Sequence, residues 1–314
     1  MIVVLTGGTG GAKFLQGLAA VVPAPDLTII VNTGDDLVWW GLHVSPDLDS
    51  ITYALAGMLN RERGWGVEGD TFHCLDAMRR VGEPAWFQIG DRDLATHLRR
   101  TELMSEGRTL SEVTTEIARA RGVNARILPM SNDRVETRVL TAHGELNFQE
   151  YFVRERYRVS ARGVRFDGAE RARPAPGVLK AIAQAEAVVI APSNPITSVG
   201  PILALAGIRE ALRQTAATVA ALSPIIGGAA VSGPAGELMQ TQGLPVSIAG
   251  VARCYADFLD LLIADQCDSA LGPRVEDIAV RYTGTLMKSE ADKTALAQSV
   301  IGFLRERSVE AAAS

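Results

Sequence analysis

MIVVLTGGTGGAKFLQGLAAVV, residues 1–22, followed after a short Pro-containing link by LTIIVNTGDD, residues 27–36, reads as strand, glycine loop, helix and second strand. Met1 to Leu5 is apolar and β-branched, and Thr6 to Gly11 is too rich in glycine for either regular element. From Lys13 to Val22 the apolar residues Phe14, Leu15, Leu18 and Val22 fall on one side of a helix. Strands that are apolar without interruption, joined through a helix, belong to a parallel sheet covered on both faces.

The same texture returns late in the chain. AVVIA (187–191) runs into Pro192-Ser193-Asn194-Pro195, Val219 to Leu222 into Ser223-Pro224-Ile225-Ile226, and LDLLIA (259–264) into Asp265. A helical tail is expected from about Glu290 to Arg305. Between these regions the pattern changes. Helical spacing is found at 51–59, 72–81, 94–105 and 110–120, short strands at 125–152, and a basic polar stretch at 154–173 that reads as a surface loop or short edge strand. The expected fold is α/β: one domain over 1–314 with a Rossmann-like, mostly parallel sheet and helices on both faces. Its core is expected over about 1–48 and 178–305, with a helical and antiparallel insertion over about 49–177.

With 314 residues, 47% of them hydrophobic, the chain can build a large core. A net charge of −5 gives no basic face for nucleic acid. No apolar run approaches the roughly 20 residues that span a bilayer, and no secretory signal opens the sequence. Cys74, Cys254 and Cys267 lack metal or disulfide spacing. A cytoplasmic, non-membrane protein is therefore expected.

Ligands of parallel α/β sheets bind beyond the carboxyl ends of the strands, and the unusual polar clusters fall at such ends. Gly7 to Lys13 lets backbone amides approach phosphate at a helix N-terminus. Neither the dinucleotide nor the P-loop pattern fits, since Lys13 and Phe14 stand where glycine and Ser/Thr would be. Asn32, Asp35 and Asp36 follow the second strand, where acids serve ribose hydroxyls, a metal or a helix cap. Asp47 and Asp49 lead into a helix expected to start near Ile51; one of them caps it and the other faces a ligand. Arg92, in Gly90-Asp91-Arg92-Asp93, is either a phosphate clamp or part of a structural ion pair. The four histidines, His97 among them, show no paired metal-ligand spacing. Carboxylates without a His or Cys set select a hard ion, magnesium. Ser193, Asn194 and Ser198 form a rigid polar turn suited to a nucleotide.

Together GGTGGAK (7–13), VNTGDD (31–36), SPDLDS (45–50), IGDRDLATH (89–97), LPMSND (128–133), APSNPITSVGPIL (191–203) and SPIIGGAAVSGPAGELM (223–239) resemble the 2-phospho-L-lactate transferases, the CofD/FbiA family of coenzyme F-420 biosynthesis. The resemblance spans nearly the whole chain. It implies transfer of a phospholactyl or phosphoenolpyruvyl group from a guanosine-diphosphate-linked acid to the ribityl hydroxyl of the deazaflavin FO, with GMP leaving, magnesium as cofactor and a homodimer. It also implies FO binding at Asp49 and Gln88, joined here by Arg92; Asp49 is the expected catalytic residue, either as a magnesium ligand or as acceptor of the alcohol's proton. Some archaeal relatives carry lysine at the position of Gln88. The donor is assigned to Gly8, Thr9, Gly10, Gly11, Lys13, Asn32, Ser193, Asn194 and Ser198, and the metal to Asp35, Asp36 and Asp49. An amide at Asp49 is expected to leave the fold nearly intact. Two other readings compete: a non-catalytic nucleotide-sugar-binding regulator of the related gluconeogenesis-factor family, and a nicotinamide dehydrogenase suggested only by the glycine loop.

Overall fold

The computed structural model describes residues 1–313, with side chains described through residue 307. Its centre is an eight-stranded sheet. In spatial order the strands are Arg274–Val275, Ile278–Thr283, Leu261–Asp265, Thr218–Leu222, Ala187–Ile190, Ile2–Thr6, Leu27–Val31 and Arg126–Pro129. All neighbours are parallel except the edge pair Arg274–Val275 and Ile278–Thr283. The α/β reading of the sequence therefore holds.

Alternation along the strands feeds two apolar layers. Val3, Leu5 and Ile30 pack into one, and Val4, Ile29 and Val31 into the other. The second layer is closed by helix Gly8–Val21, which lies against Glu290–Ala313 and Pro46–Leu55. Each such fully buried aliphatic side chain contributes about 1.5–3 kcal/mol, so this double-sided core holds the strand ends rigidly.

Strand order reverses between Ile2–Thr6 and Ala187–Ile190. From the first, the chain moves outward through Leu27–Val31 to Arg126–Pro129, then returns to the other side. A crevice opens where connections diverge in this way. The loops after residues 6 and 190 flank it.

Several local expectations shift. The first helix starts at Gly8 rather than Lys13, so the glycines form its first turn. Pro46–Leu55 starts five residues before the expected Ile51, because Pro46 sits at the first helical position, where its missing N–H costs nothing. Arg126–Pro129, expected among short strands of the insertion, instead extends the parallel sheet. Part of the basic stretch, Ala161–Asp167, is an edge strand of a three-stranded antiparallel sheet with Glu136–Thr141 and Gly144–Asn147. Among the described residues, no helix is long and apolar enough to cross a membrane.

Candidate active site

A cavity of about 830 Å³ occupies the crevice, and the insertion closes over it. That is toward the upper end for small-molecule sites, enough for two ligands side by side. One end is built by the first helix. Gly8, Thr9, Gly10 and Lys13 line it, together with Asn194 and Ser198 from the facing loop. The amides of a helix's first turn lack intrahelical partners and carry the positive end of its dipole. The helix carries no acidic residue of its own in that turn, although the Gly8 amide is taken by the Asp47 carboxylate.

Two of the glycines are required by the chain itself. Gly8 has φ +69°, a left-handed conformation that side chains resist. A Cβ on Gly10 would lie 2.4 Å from the Pro192 carbonyl oxygen. The glycine loop thus packs directly on the loop across the switch point. Ser193 ties the two, its hydroxyl donating to Gly7 O at 2.7 Å.

Asp47 fixes the same corner from the other side. Its Oδ1 accepts from the Gly8 N–H at 2.8 Å and its Oδ2 from Asn32 Nδ2 at 3.0 Å. Asp47 therefore caps the first helix rather than its own, which corrects the expectation of a simple cap on Pro46–Leu55. Burial foremost raises its carboxyl to about 6, against the bonds from Asn32 and Gly8. Asp35 lies beside it on the cavity wall, raised well above the ordinary value first by burial and then by the charge of Asp47. Asp35 Oδ1 is buried with no hydrogen-bond partner. Two neighbouring carboxylates, both raised first by burial and one of them with an orphaned oxygen, suit a hard divalent cation.

Away from that helix the walls are aromatic, with Trp86, Phe87, Phe148 and Phe152 lining the cavity. Trp86 meets Trp39 edge-on at 4.7 Å between ring centroids, and Phe152 stacks on Phe148 at 5.5 Å. Asp49, Gln88, Asp93 and His97 supply the polar groups there. Asp49 is held by Arg100: Nη1 donates to Oδ2 at 3.0 Å and Nη2 to Oδ1. His97 Nδ1 lies 3.6 Å from Asp49 Oδ2 and 3.3 Å from Arg100 Nη1, with Nε2 3.4 Å from Asp93 Oδ1. Tyr53 donates to Asp93 at 2.6 Å.

The structure gathers some expected site residues and disperses others. Gly8, Thr9, Gly10, Lys13, Asp35, Asp49, Gln88, Asn194 and Ser198 line the cavity. Gly11, Asn32 and Ser193 lie behind its wall and shape it. Gly11 packs on Thr6, and the completely buried Asn32 is spent on Asp47, Gly34 and the Thr197 carbonyl. Asp36 turns away to His43, at 3.0 Å, and to Ser45, at 2.7 Å. The expected metal trio Asp35, Asp36 and Asp49 therefore does not converge, because Asp36 and Asp49 each have another partner. Arg92 is exposed and donates to Glu68 O at 3.3 Å, outside the cavity. Its neighbours separate: Asp91 accepts from the His73 and Cys74 amides, and Asp93 points inward. Sequence reasoning gave no role to Arg100 or Tyr53, and left His97 unassigned. An arginine within HLRR reads as a solvated residue, and only its burial reveals it.

Comparison with known proteins identifies the family. The family described as "2-phospho-L-lactate transferase CofD" matches residues 2–294. The 2-phospho-L-lactate transferase of Methanothermobacter thermautotrophicus is 43% identical, over 96% of this chain and 97% of its own length. The phosphoenolpyruvate transferase of Streptomyces griseus is 44% identical, over 94% and 95%. Among solved structures, a UPF0052-family protein from Bacillus halodurans superposes with a TM-score of 0.65 at 17% identity, covering 96% of this chain and 98% of that one, a likeness of fold. With full-length relatives at this identity, the chain belongs to the CofD family and is a transferase of the 2-phospho-L-lactate/phosphoenolpyruvate type.

Proposed function

We propose that this chain transfers a phospho-acyl group from a guanosine-diphosphate-linked acid to the ribityl hydroxyl of the deazaflavin FO. The observation that carries the reading is one cavity with two unlike ends: a helix N-terminus with Lys13 at one, and aromatic walls with Asp49 and Gln88 at the other. The first suits a diphosphate, the second a flat ring system with a polyol tail. The donor's phosphates are assigned to Gly8, Thr9, Gly10 and Lys13, and its nucleoside to Asn194 and Ser198. The FO ring lies among Trp86, Phe87, Phe148 and Phe152.

The alcohol oxygen forms a bond to the phosphorus that bears the acid. The bond from that phosphorus to the bridging oxygen breaks, and GMP leaves with the electron pair. Such transfers ask the protein mainly for alignment and charge neutralisation. Asp49 accepts a hydrogen bond from the attacking hydroxyl and aims it. The hydroxyl proton passes to a cavity carboxylate or to water. Asp35 and Asp47 are the residues that would hold magnesium, which when bound neutralises charge on the phosphate oxygens. The donor-end amides and Lys13 stabilise the leaving GMP.

The test is mass spectrometry of the product after FO and magnesium are supplied with the lactyl and the enolpyruvyl donor in turn. Both acids are needed, because relatives named for each stand at nearly equal identity. A product of FO mass plus one phospho-acyl group, with GMP in equal amount, is the expected result. Unchanged FO with either donor, alongside tight binding of a nucleotide-sugar, would instead favour the regulator reading.

A further inference from the structure

The acceptor end contains a charged group for which the proposed chemistry has so far had no use. Arg100 is 2% exposed, among the largest side chains buried to that degree. A guanidinium keeps its charge at any pH where the protein folds, and burying it is costly unless a carboxylate meets it. Asp49 meets it with both oxygens, in the two-pronged geometry that fixes a carboxylate's plane as well as its position.

The two residues come from different parts of the chain. Asp49 stands in the first turn of Pro46–Leu55, against the sheet, and Arg100 in the third turn of Asp91–Ser105, from the insertion. Their pairing joins the two helices whose side chains form the polar part of the acceptor end. Arg100 Nη1 also reaches His97 Nδ1 at 3.3 Å, so one guanidinium orients two groups of the cavity wall.

Asp49, Asp93 and His97 could on distance alone hold a metal, since one ligand atom from each lies within 4.8 Å of the others. The fixed cation of Arg100 already occupies that electrostatic role. It leaves Asp49 an acceptor on the cavity wall, and it keeps Asp49 from competing with Asp35 and Asp47 for a divalent ion.

We infer that Arg100 is a positioning residue for the acceptor alcohol, acting through Asp49 and His97 and making no contact with substrate itself. The inference rests on the proposed transfer to FO. It predicts a split between the two substrates that a merely structural arginine would not produce. Arg100→Lys keeps the charge and loses the fork. At a temperature where the variant is fully folded, the KM for FO should rise tenfold or more, or kcat fall by as much, while GDP affinity measured by calorimetry stays within twofold. Arg100→Gln replaces the guanidinium by a neutral amide that can donate to Asp49 through one group only. It covers the case in which the lysine variant does not fold, and it should bind GDP normally with kcat reduced at least tenfold.

Guanidinium ion at millimolar concentration should restore part of the activity of Arg100→Ala, as rescue of a missing side chain. Native kcat and FO KM in folded Arg100→Lys, or in folded Arg100→Gln, would overturn the inference. Equal weakening of FO and GDP would overturn it as well, by showing general distortion. Failure of the wild-type chain to convert FO at all would remove the transfer reading and this inference with it. Wild-type conversion together with an indifferent Arg100 would remove the inference alone.

Discussion

Asp47 and Asp49 stand two residues apart in the first turn of one helix, both nearly fully buried and both facing one cavity. Their surroundings differ in kind. Asp47 has only neutral donors, the Gly8 amide and Asn32, with the acid Asp35 close by, and its carboxyl is raised to about 6. Asp49 has Arg100 across both oxygens. The first is a carboxylate lacking a cation, the second one already supplied. A pair of acids that looks equivalent in the sequence therefore divides into a place for an added ion and a place completed by the protein.

The largest effect that tests this contrast is on stability. Asp49→Asn leaves the Arg100 charge buried without its partner, and breaking such a pair costs about 3–5 kcal/mol. Urea unfolding should show a loss of that size, in contrast to the intact fold expected from sequence. Adding Arg100→Met to Asp49→Asn should recover most of it, since no buried charge is then left without a partner. A loss under about 1 kcal/mol would break the contrast, because surface-like substitutions have effects of that order.

Asp47 makes the next prediction, through pH. Its folded value is raised, so the neutral form is favoured in the fold. The stability it contributes is fully present below its ordinary value near 3.8 and is lost as pH rises through about 6. The shift corresponds to about 3 kcal/mol. In Asp47→Asn the amide oxygen still accepts from Gly8 and the NH2 meets Asn32, a cost that does not vary with pH. The difference in stability between wild type and variant should therefore change by about 2 kcal/mol from pH 4 to pH 7 in chelator, with the variant gaining on the wild type. Magnesium should remove most of that change. A flat difference would show that Asp47 is not the cation-deficient member of the pair.

How far these environments could be read from sequence follows from what each depends on. The sheet was legible because its strands are apolar without a break, and the crevice because polar clusters follow them. The helix start at Pro46 is also legible in principle: Ser45-Pro46 followed by Asp47 and Asp49 is a start signal, five residues ahead of the Ile51 start that helical spacing suggests. The run Ile278–Thr283 carries a strand signal of its own, in its alternation of apolar and polar positions. Which acid receives a cation depends instead on Arg100, 51 residues from Asp49 along the chain. Local pattern cannot convey that pairing; it arises only when the insertion folds back on the core.

The donor end gives a smaller effect. A Cβ on Gly10 would press on the Pro192 carbonyl, which is backbone and cannot rotate away. Gly10→Ala should cost about 1–3 kcal/mol, as overpacking does, and weaken GDP more than FO in parallel titrations. This sharpens the contrast by separating the two ends of the cavity. Equal losses for GDP and FO would show that the ends do not act independently.

The smallest expected effect concerns Arg92, which shares a helix with Arg100 and on sequence grounds had the stronger claim to substrate. Eight residues separate them, yet one is exposed and the other buried. The Arg92 guanidinium donates to the Glu68 carbonyl at 3.3 Å, an exposed bond between a flexible side chain and a loop. Its backbone N–H, accepted by Asp70 at 2.8 Å, does the anchoring, and any residue supplies that group. The flanking aspartates neither pair with it nor need its charge, since Asp91 holds the helix before it and Asp93 takes the Tyr53 hydroxyl. Arg92→Gln should therefore shift stability by no more than about 0.5 kcal/mol, the usual range for such surface changes. Its kcat and its KM for FO should both stay within about twofold of wild type, which corresponds to less than about 0.5 kcal/mol of transition-state stabilisation. Steady-state kinetics beside Arg100→Lys decides the matter. If Arg92→Gln raises the FO KM tenfold while Arg100→Lys leaves it unchanged, the acceptor is held from the exposed side of this helix, and the buried arginine serves the fold alone.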